Sequence, residues 1–296
     1  KPGIGKPRPV GQAIVNNLFA ENQTGRIPLV GVTGTHGRNA VAKLVAHLIY
    51  LSGQHAGLAC KDGIYLGRRQ VQKTSAANWE GGRRLLLNRA VQAAVIENGA
   101  PVILGEGLPY DRCSVGIVTN IVPQDEDLSR WDVQPTGGEY YTTHRSIFRT
   151  QVDVVLPSGH AVLNAEDELV ADFAELCDGE VILFAVDPAN PVMLAHLAAG
   201  KRGVTVSDKR VVLRSGADEI RLCRLLNAPY VGKGRPPKQI ANLLAGVAAG
   251  WALGLGQEVL TTGIKTFGVE LPDPASLLPL RTKQSQTAKK PASSRK

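Results

Sequence analysis

A chain of 296 residues, 43% hydrophobic and 20% charged, holds enough apolar side chains for one large or two ordinary buried cores; this excludes a disordered or fibrous class. No apolar run approaches the ~18 residues that cross a bilayer, and the chain starts at Lys1 without a signal-peptide pattern, so it reads as a cytoplasmic piece of something longer. The net charge of +8 resembles a nucleic-acid signal, yet six Lys or Arg and no acid stand in the last 16 residues, RTKQSQTAKKPASSRK, which leaves the body at +2; neither nucleic acid nor membrane is expected as a partner.

Residues 1–25 contain KPGIGKPRPVG, a Pro- and Gly-rich stretch expected to be a linker, with a short helix over Gln12 to Phe19. From Ile27 apolar runs alternate with helical patterns, as in a parallel α/β sheet. IPLVGVT is the first strand. Val41, Leu44, Val45, Leu48 and Ile49 then fall at i, i+3, i+4, i+7 and i+8, the stripe of a helix packed on a sheet, with Gly53 suited to its C-terminal cap. HAGLAC is a second strand, GIYLGRRQVQ a small hairpin, and residues 79–92 are expected to be helical. AAVIE and VGIVTN have the nearly continuous apolar character of strands buried on both faces. DVVLP, HAVLN and VILFAV continue the pattern, with helices near 166–177 and 190–199, short strands over 203–224, and helices at 237–253 and 256–266. The last 28 residues, 269–296, form a basic tail expected to be disordered. Cys60, Cys113, Cys177 and Cys223 lack metal-ligand spacing and read as reduced thiols of a cytosolic protein.

The stretch GVTGTHGRNA (31–40) joins the first strand to the first helix through Gly34-Thr35-His36-Gly37. Backbone N–H groups at such a turn, together with the helix dipole, make a site for a phosphate. A phosphate-binding loop would next place Lys on the β- and γ-phosphates and a Ser or Thr hydroxyl on Mg²⁺. This chain has Arg38, longer and fork-shaped, and Asn39, an amide. A plain glycine turn between strand and helix fits the same residues.

RIPLVGVTGTHGRNAVAKLVAHLIYLSG resembles the opening of the central domain of Mur-type amide ligases, and the match is closest to the C-terminal half of cyanophycin synthetase. GKPRPVGQAIVNNLF, KDGIYLGRRQV, AAVIENGAPVILGEGLPYDRCSVGIVTNI, SGHAVLNAEDELV and IANLLAGVAAGWALGLGQEVLTTGIKTF extend the resemblance in family order over roughly residues 5–268. It implies an α/β fold, a mostly parallel sheet flanked by helices, with residues 26–268 as a Mur-ligase central domain. Residues 1–25 would then be the linker from an upstream ATP-grasp region. The C-terminal lid domain of such ligases is expected to be missing, since fewer residues than the ~50 of a small domain follow Phe267.

In active members the resemblance implies a loop Lys on the phosphates, a Thr, a Glu and a His that place Mg²⁺, a modified Lys for a second metal, and an Asn at the adenine. Here Arg38 and Asn39 replace the loop Lys and Thr, and Glu97 survives. Gln124-Asp125 stands where an Asp-His pair would be, HRSIFRT offers no Lys, and Gln239 takes the adenine position while Asn242 is kept. Gly34, Thr35, His36, Gly37, Arg38 and Asn39 are thus expected to be a vestigial phosphate loop, Gln239 and Asn242 a vestigial adenine region, and Glu97 and Asp125 a vestigial metal site, with no catalytic residue or cofactor in this region. Losing one transition-state contact costs ~3 kcal/mol, and several are lost together. A truncated, degenerate Mur-like domain resembles the second type of cyanophycin synthetase, whose ATP-grasp domain polymerises β-aspartyl-arginine dipeptides with ATP and Mg²⁺. The expected partners are that upstream domain, a second copy of the chain and the cyanophycin polymer. Two other readings stay open: a working ATP-dependent ligase adding Arg to aspartate side chains, and a basic polymer-binding module.

Overall fold

The computed structural model describes residues 25–122, 139–234 and 236–269, with only the backbone of 139–144. The linker with its expected helix, Gln124-Asp125 and the basic tail lie outside the described residues.

Eleven strands form one sheet in the order β11-β10-β9-β8-β7-β6-β1-β5-β2-β3-β4. They are β1 (Leu29–Thr33), β2 (Ala56–Cys60), β3 (Gly63–Leu66), β4 (Arg69–Gln72), β5 (Ala93–Glu97), β6 (Cys113–Val118), β7 (Val155–Asn164), β8 (Glu180–Ala185), β9 (Arg202–Ser207), β10 (Arg210–Ser215) and β11 (Asp218–Arg224). The seven from β9 across to β2 pair in parallel, and the hairpins β3–β4 and β10–β11 close the two ends antiparallel. The helices are α1 (Arg38–Leu51), α2 (Trp79–Leu86), α3 (Ala100–Gly105), α4 (Glu139–Asp153), α5 (Glu168–Ala171), α6 (Pro191–Ala198), α7 (Pro237–Ala252) and α8 (Gln257–Thr266).

Strand periodicity sorts the core onto the two faces. Val30 and Val32 of β1, Val95 of β5, and Ile182 and Phe184 of β8 pack with α1, α7 and α8. Their neighbours Ala94, Ile96, Leu183 and Ala185 turn to the other face, against α2 at one end and α4 and α6 at the other. The α1 stripe read from the sequence is buried, Val41, Leu44, Val45, Leu48 and Ile49 each being at most 1% exposed. Each such side chain contributes roughly 1.5–3 kcal/mol of hydrophobic stabilisation.

Four expectations are corrected. The helix expected over 79–92 stops at Leu86, because the Asn88 side-chain oxygen accepts the Ala90 N–H at 3.0 Å and turns the chain. The helix near 166–177 is one α-turn, α5, followed by a 3₁₀ segment, Asp172–Leu176. DVVLP and HAVLN are not two strands. Asp153 ends α4, and β7 is continuous but irregular, since Val155 pairs with Cys113 while His160 pairs with Val115. The first strand starts at Leu29, not Ile27.

All four cysteines are free thiols. Burial pushes the Cys60 thiol up to about 11 and that of Cys113 up to about 12, so both hold their protons at ordinary pH. Thiolate is the reactive form. At pH 8 a disulfide reagent is therefore expected to label Cys177, the half-buried one, first and to leave Cys60 and Cys113 untouched until unfolding. Peptide mapping of the labelled thiols checks this; early labelling of Cys113 would show that the core beneath β6 opens. Above the ordinary thiol range the unfolded chain releases protons that the folded one keeps, so stability falls as pH rises there.

Candidate functional site

The connection from β1 to α1 lies at the C-terminal ends of the parallel strands, the usual location of sites in such sheets. Gly37 is the N-cap of α1, in the left-handed region at φ 85°, and no side chain caps the helix. A Cβ there would stand 2.1 Å from the Asn242 Oδ1 on α7.

The segment after β6 laces this loop shut. The Thr35 N–H donates to the Asn120 carbonyl at 2.8 Å, and the His36 N–H donates to the Asn120 Oδ1 at 2.9 Å. In return the Thr119 hydroxyl and the Asn120 amide donate to the His36 carbonyl at 2.7 and 2.9 Å, and Val122 N–H reaches the Thr35 hydroxyl at 2.8 Å. Two of the turn's N–H groups are thus engaged within the protein.

Arg38 folds back under the loop. One guanidinium nitrogen donates to the Gly34 carbonyl and, at 2.7 Å, to the Thr35 carbonyl, while Nε stands 3.6 Å from the Glu97 carboxylate. The Glu97 side chain, at the end of β5, is 3% exposed. Its other oxygen accepts the Lys61 N–H at 2.7 Å. Asn39 points to the next strand connection, where its amide donates to Asp62 at 3.0 Å and Lys43 donates to the same oxygen. The Asn39 and Lys43 hydrogen bonds hold the Asp62 carboxyl below its ordinary range; Lys43 is partly buried, yet its bond to Asp62 carries it upward.

A cavity of about 230 Å³ opens beside the loop, lined among others by His36, Asn120, Asn164, Phe184, Lys238 and Asn242. Asn242 also donates to the Tyr230 hydroxyl at 3.2 Å. The structure thus brings together Gly34, Thr35, His36, Gly37, Arg38, Asn39, Glu97 and Asn242. Gln239 is half-buried one turn earlier on α7 and does not line the cavity. Asp125 lies outside the described residues. Among the described residues no group of three His, Cys, Asp or Glu is arranged to hold a metal ion, and no helix is long and apolar enough to cross a membrane.

Asn120, Asp62 and Lys43 were not picked out from the sequence as site residues. A signal existed for Asn120: it stands two residues past an apolar strand, at the strand end where sites gather. Beneath the loop a further buried set joins Asn98, Tyr110 and Gln151, with Asn98 to Tyr110 at 2.6 Å and Tyr110 to Gln151 at 2.8 Å. Burial drives the Tyr110 phenol well above its ordinary range, so it stays a neutral donor.

No family model matches the chain. A cyanophycin synthetase of Synechocystis sp. is 32% identical over 266 residues, covering 90% of this chain and 30% of that protein. A UDP-N-acetylmuramoyl-L-alanyl-D-glutamate–2,6-diaminopimelate ligase superposes with a TM-score of 0.60 at 16% identity, covering 83% of this chain and 47% of that one. A pseudomurein peptide ligase type C from Methanothermus fervidus gives 0.52 at 16% identity, covering 90% and 56%. At such identity the two structures speak for the fold alone. The chain spans about 30% of the length of the cyanophycin synthetases it matches.

Proposed function

We propose, for a chain that belongs with the cyanophycin synthetases through its Mur-ligase-like domain, that this domain no longer ligates and serves the enzyme as a structural module. The whole enzyme would be an ATP- and Mg²⁺-dependent ligase that builds cyanophycin from β-aspartyl-arginine dipeptides in an upstream ATP-grasp domain. The module's work is physical: a folded body against which that domain and a second copy of the chain pack.

The observation that carries this reading is the place of Arg38. A guanidinium bonded to the Gly34 and Thr35 carbonyls and set against Glu97 is already the cation of this site. Mg²⁺ at Glu97 would meet a like charge, and a triphosphate on the loop would compete with Asn120 for the Thr35 and His36 N–H groups. Asn39 is turned to Asp62 and supplies no hydroxyl. The residues present therefore do not suit a phosphate–Mg²⁺ pair. Losses of this kind cost ~3 kcal/mol each in transition-state stabilisation, or 10²- to 10³-fold in rate.

One feature favours the second reading, a working ligase: the cavity beside His36 and Asn242 still has room for a small ligand. ADP release separates the two. The purified chain with ATP, Mg²⁺, arginine and an aspartate polymer is expected to release no ADP above background. The Arg38→Lys, Asn39→Thr double variant is expected to gain at most weak ATP binding by calorimetry, and no ligation. Arginine-dependent turnover in either protein would overturn the inert reading.

A further inference from the structure

The sequence of residues 61–89 carries seven Lys or Arg against two acids, Asp62 and Glu80. This stretch is therefore +5 in a body of only +2, so the rest of the body is net negative. Both acids are engaged: Asp62 with Lys43 and Asn39, and Glu80 with Arg83 at 3.8 Å. Among the described residues no carboxylate pairs with Arg68, Arg69, Lys73 or Arg84.

The fold puts these cations along the end of the sheet. Among the described residues β4 is the terminal strand and pairs on one side only, with β3. Arg69 belongs to β4 itself, Arg68 precedes it and Lys73 follows it. Arg84 of α2 donates to the Gln72 side chain at 2.9 Å, which brings a further cation to the same strip. Val71 at its centre is 48% exposed. A hollow of about 300 Å³ beside it is lined by Tyr50, His55, Arg68 and Arg69, with no acid in its wall.

We propose that this edge is a docking strip for an extended acidic peptide, which adds to β4 as a further strand while its carboxylates meet Arg68, Arg69, Lys73 and Arg84. An open edge offers a row of main-chain N–H and C=O groups to an incoming strand. The charges decide which strand is admitted. A second copy of β4 is repelled by like charge, whereas an acid-bearing strand is attracted, and electrostatic complementarity speeds its arrival. Nucleic acid fits less well, because its single strands need open aromatic faces for stacking. Here Arg68 stands 6.0 Å over the Tyr50 ring, Lys43 5.9 Å over Tyr65 and Arg83 5.6 Å over Trp79.

The test is fluorescence anisotropy of the full chain with a short labelled peptide of alternating Glu and Val. Binding is expected to weaken about tenfold or more when Arg69→Glu and Lys73→Glu are combined, and to fall as salt is raised above ~0.1 M. Methylating alternate backbone nitrogens of the peptide, which leaves its charge intact, is expected to weaken binding to the unaltered protein by a similar factor. Removing residues 281–296, the basic tail, is expected to leave the affinity nearly unchanged. Any of three results would overturn the proposal: an oligothymidylate of equal charge binding as tightly, indifference to backbone methylation, or loss of peptide binding with the tail alone.

Discussion

Replacing Arg38 with Ala is expected to destabilise the domain by roughly 3 kcal/mol, the low end of the range for breaking a buried ion pair. Glu97 is left 3% exposed without its cation, and the Gly34 and Thr35 carbonyls lose their donor. The low end is chosen because Nε stands 3.6 Å from the carboxylate and the Arg38 side chain keeps 17% exposure. In a domain of this size each kcal/mol moves the midpoint by about 2–4 °C, so a fall on the order of 10 °C is expected in thermal unfolding. The double variant Arg38→Met, Glu97→Gln is expected to recover most of the loss, since removing both charges is far cheaper than orphaning one. A single-variant loss below about 1 kcal/mol would mean that Glu97 is not held by Arg38, and the central support for an inert, self-neutralised loop would go with it.

Gly63→Ala is the second large effect. Gly63 opens β3 at φ 132°, and a Cβ there would lie 1.9 Å from the Gln72 carbonyl oxygen across the hairpin. That oxygen belongs to the main chain, so relief requires β4 to move as a whole. Strain at such a backbone angle costs on the order of 1–3 kcal/mol before the clash is counted. Gly53→Ala is the comparison: φ is 87°, and nothing lies within 4 Å of its Cβ position. The Gly53 variant should lose only about 1 kcal/mol, the left-handed penalty alone. The Gly63 variant should lose more than that and also show fast hydrogen exchange in β4. Equal effects of the two variants would mean that the hairpin yields without cost.

The core was legible because burial follows period. A stripe at i, i+3, i+4 and i+7 has only one way to face a sheet, and Val41, Leu44, Val45, Leu48 and Ile49 took it. AAVIE, buried on both faces, became a central strand for the same reason. The local errors arose where a side chain competes with the main chain, as at Asn88, or where an irregular pairing replaces a turn, as between Val155 and His160. The loop itself was legible as a departure: Arg38 and Asn39 could be seen to differ from Lys and Thr.

The sequence by itself determined the α/β class, the β1–loop–α1 unit, the hairpin after β2, and which residue types stand in the loop and at the end of β5. Those are matters of spacing and chemistry along a few turns of chain. Only the tertiary structure decided where Arg38 spends its charge, that Asn120 takes the Thr35 and His36 N–H groups, and that Asp62 answers Asn39 and Lys43. Each of those contacts joins segments 19 to 85 residues apart, brought to 3.6 Å or less by the order of strands β6-β1-β5-β2. The direction of a long, flexible side chain is set by what the fold places around it, and spacing along the chain does not encode that.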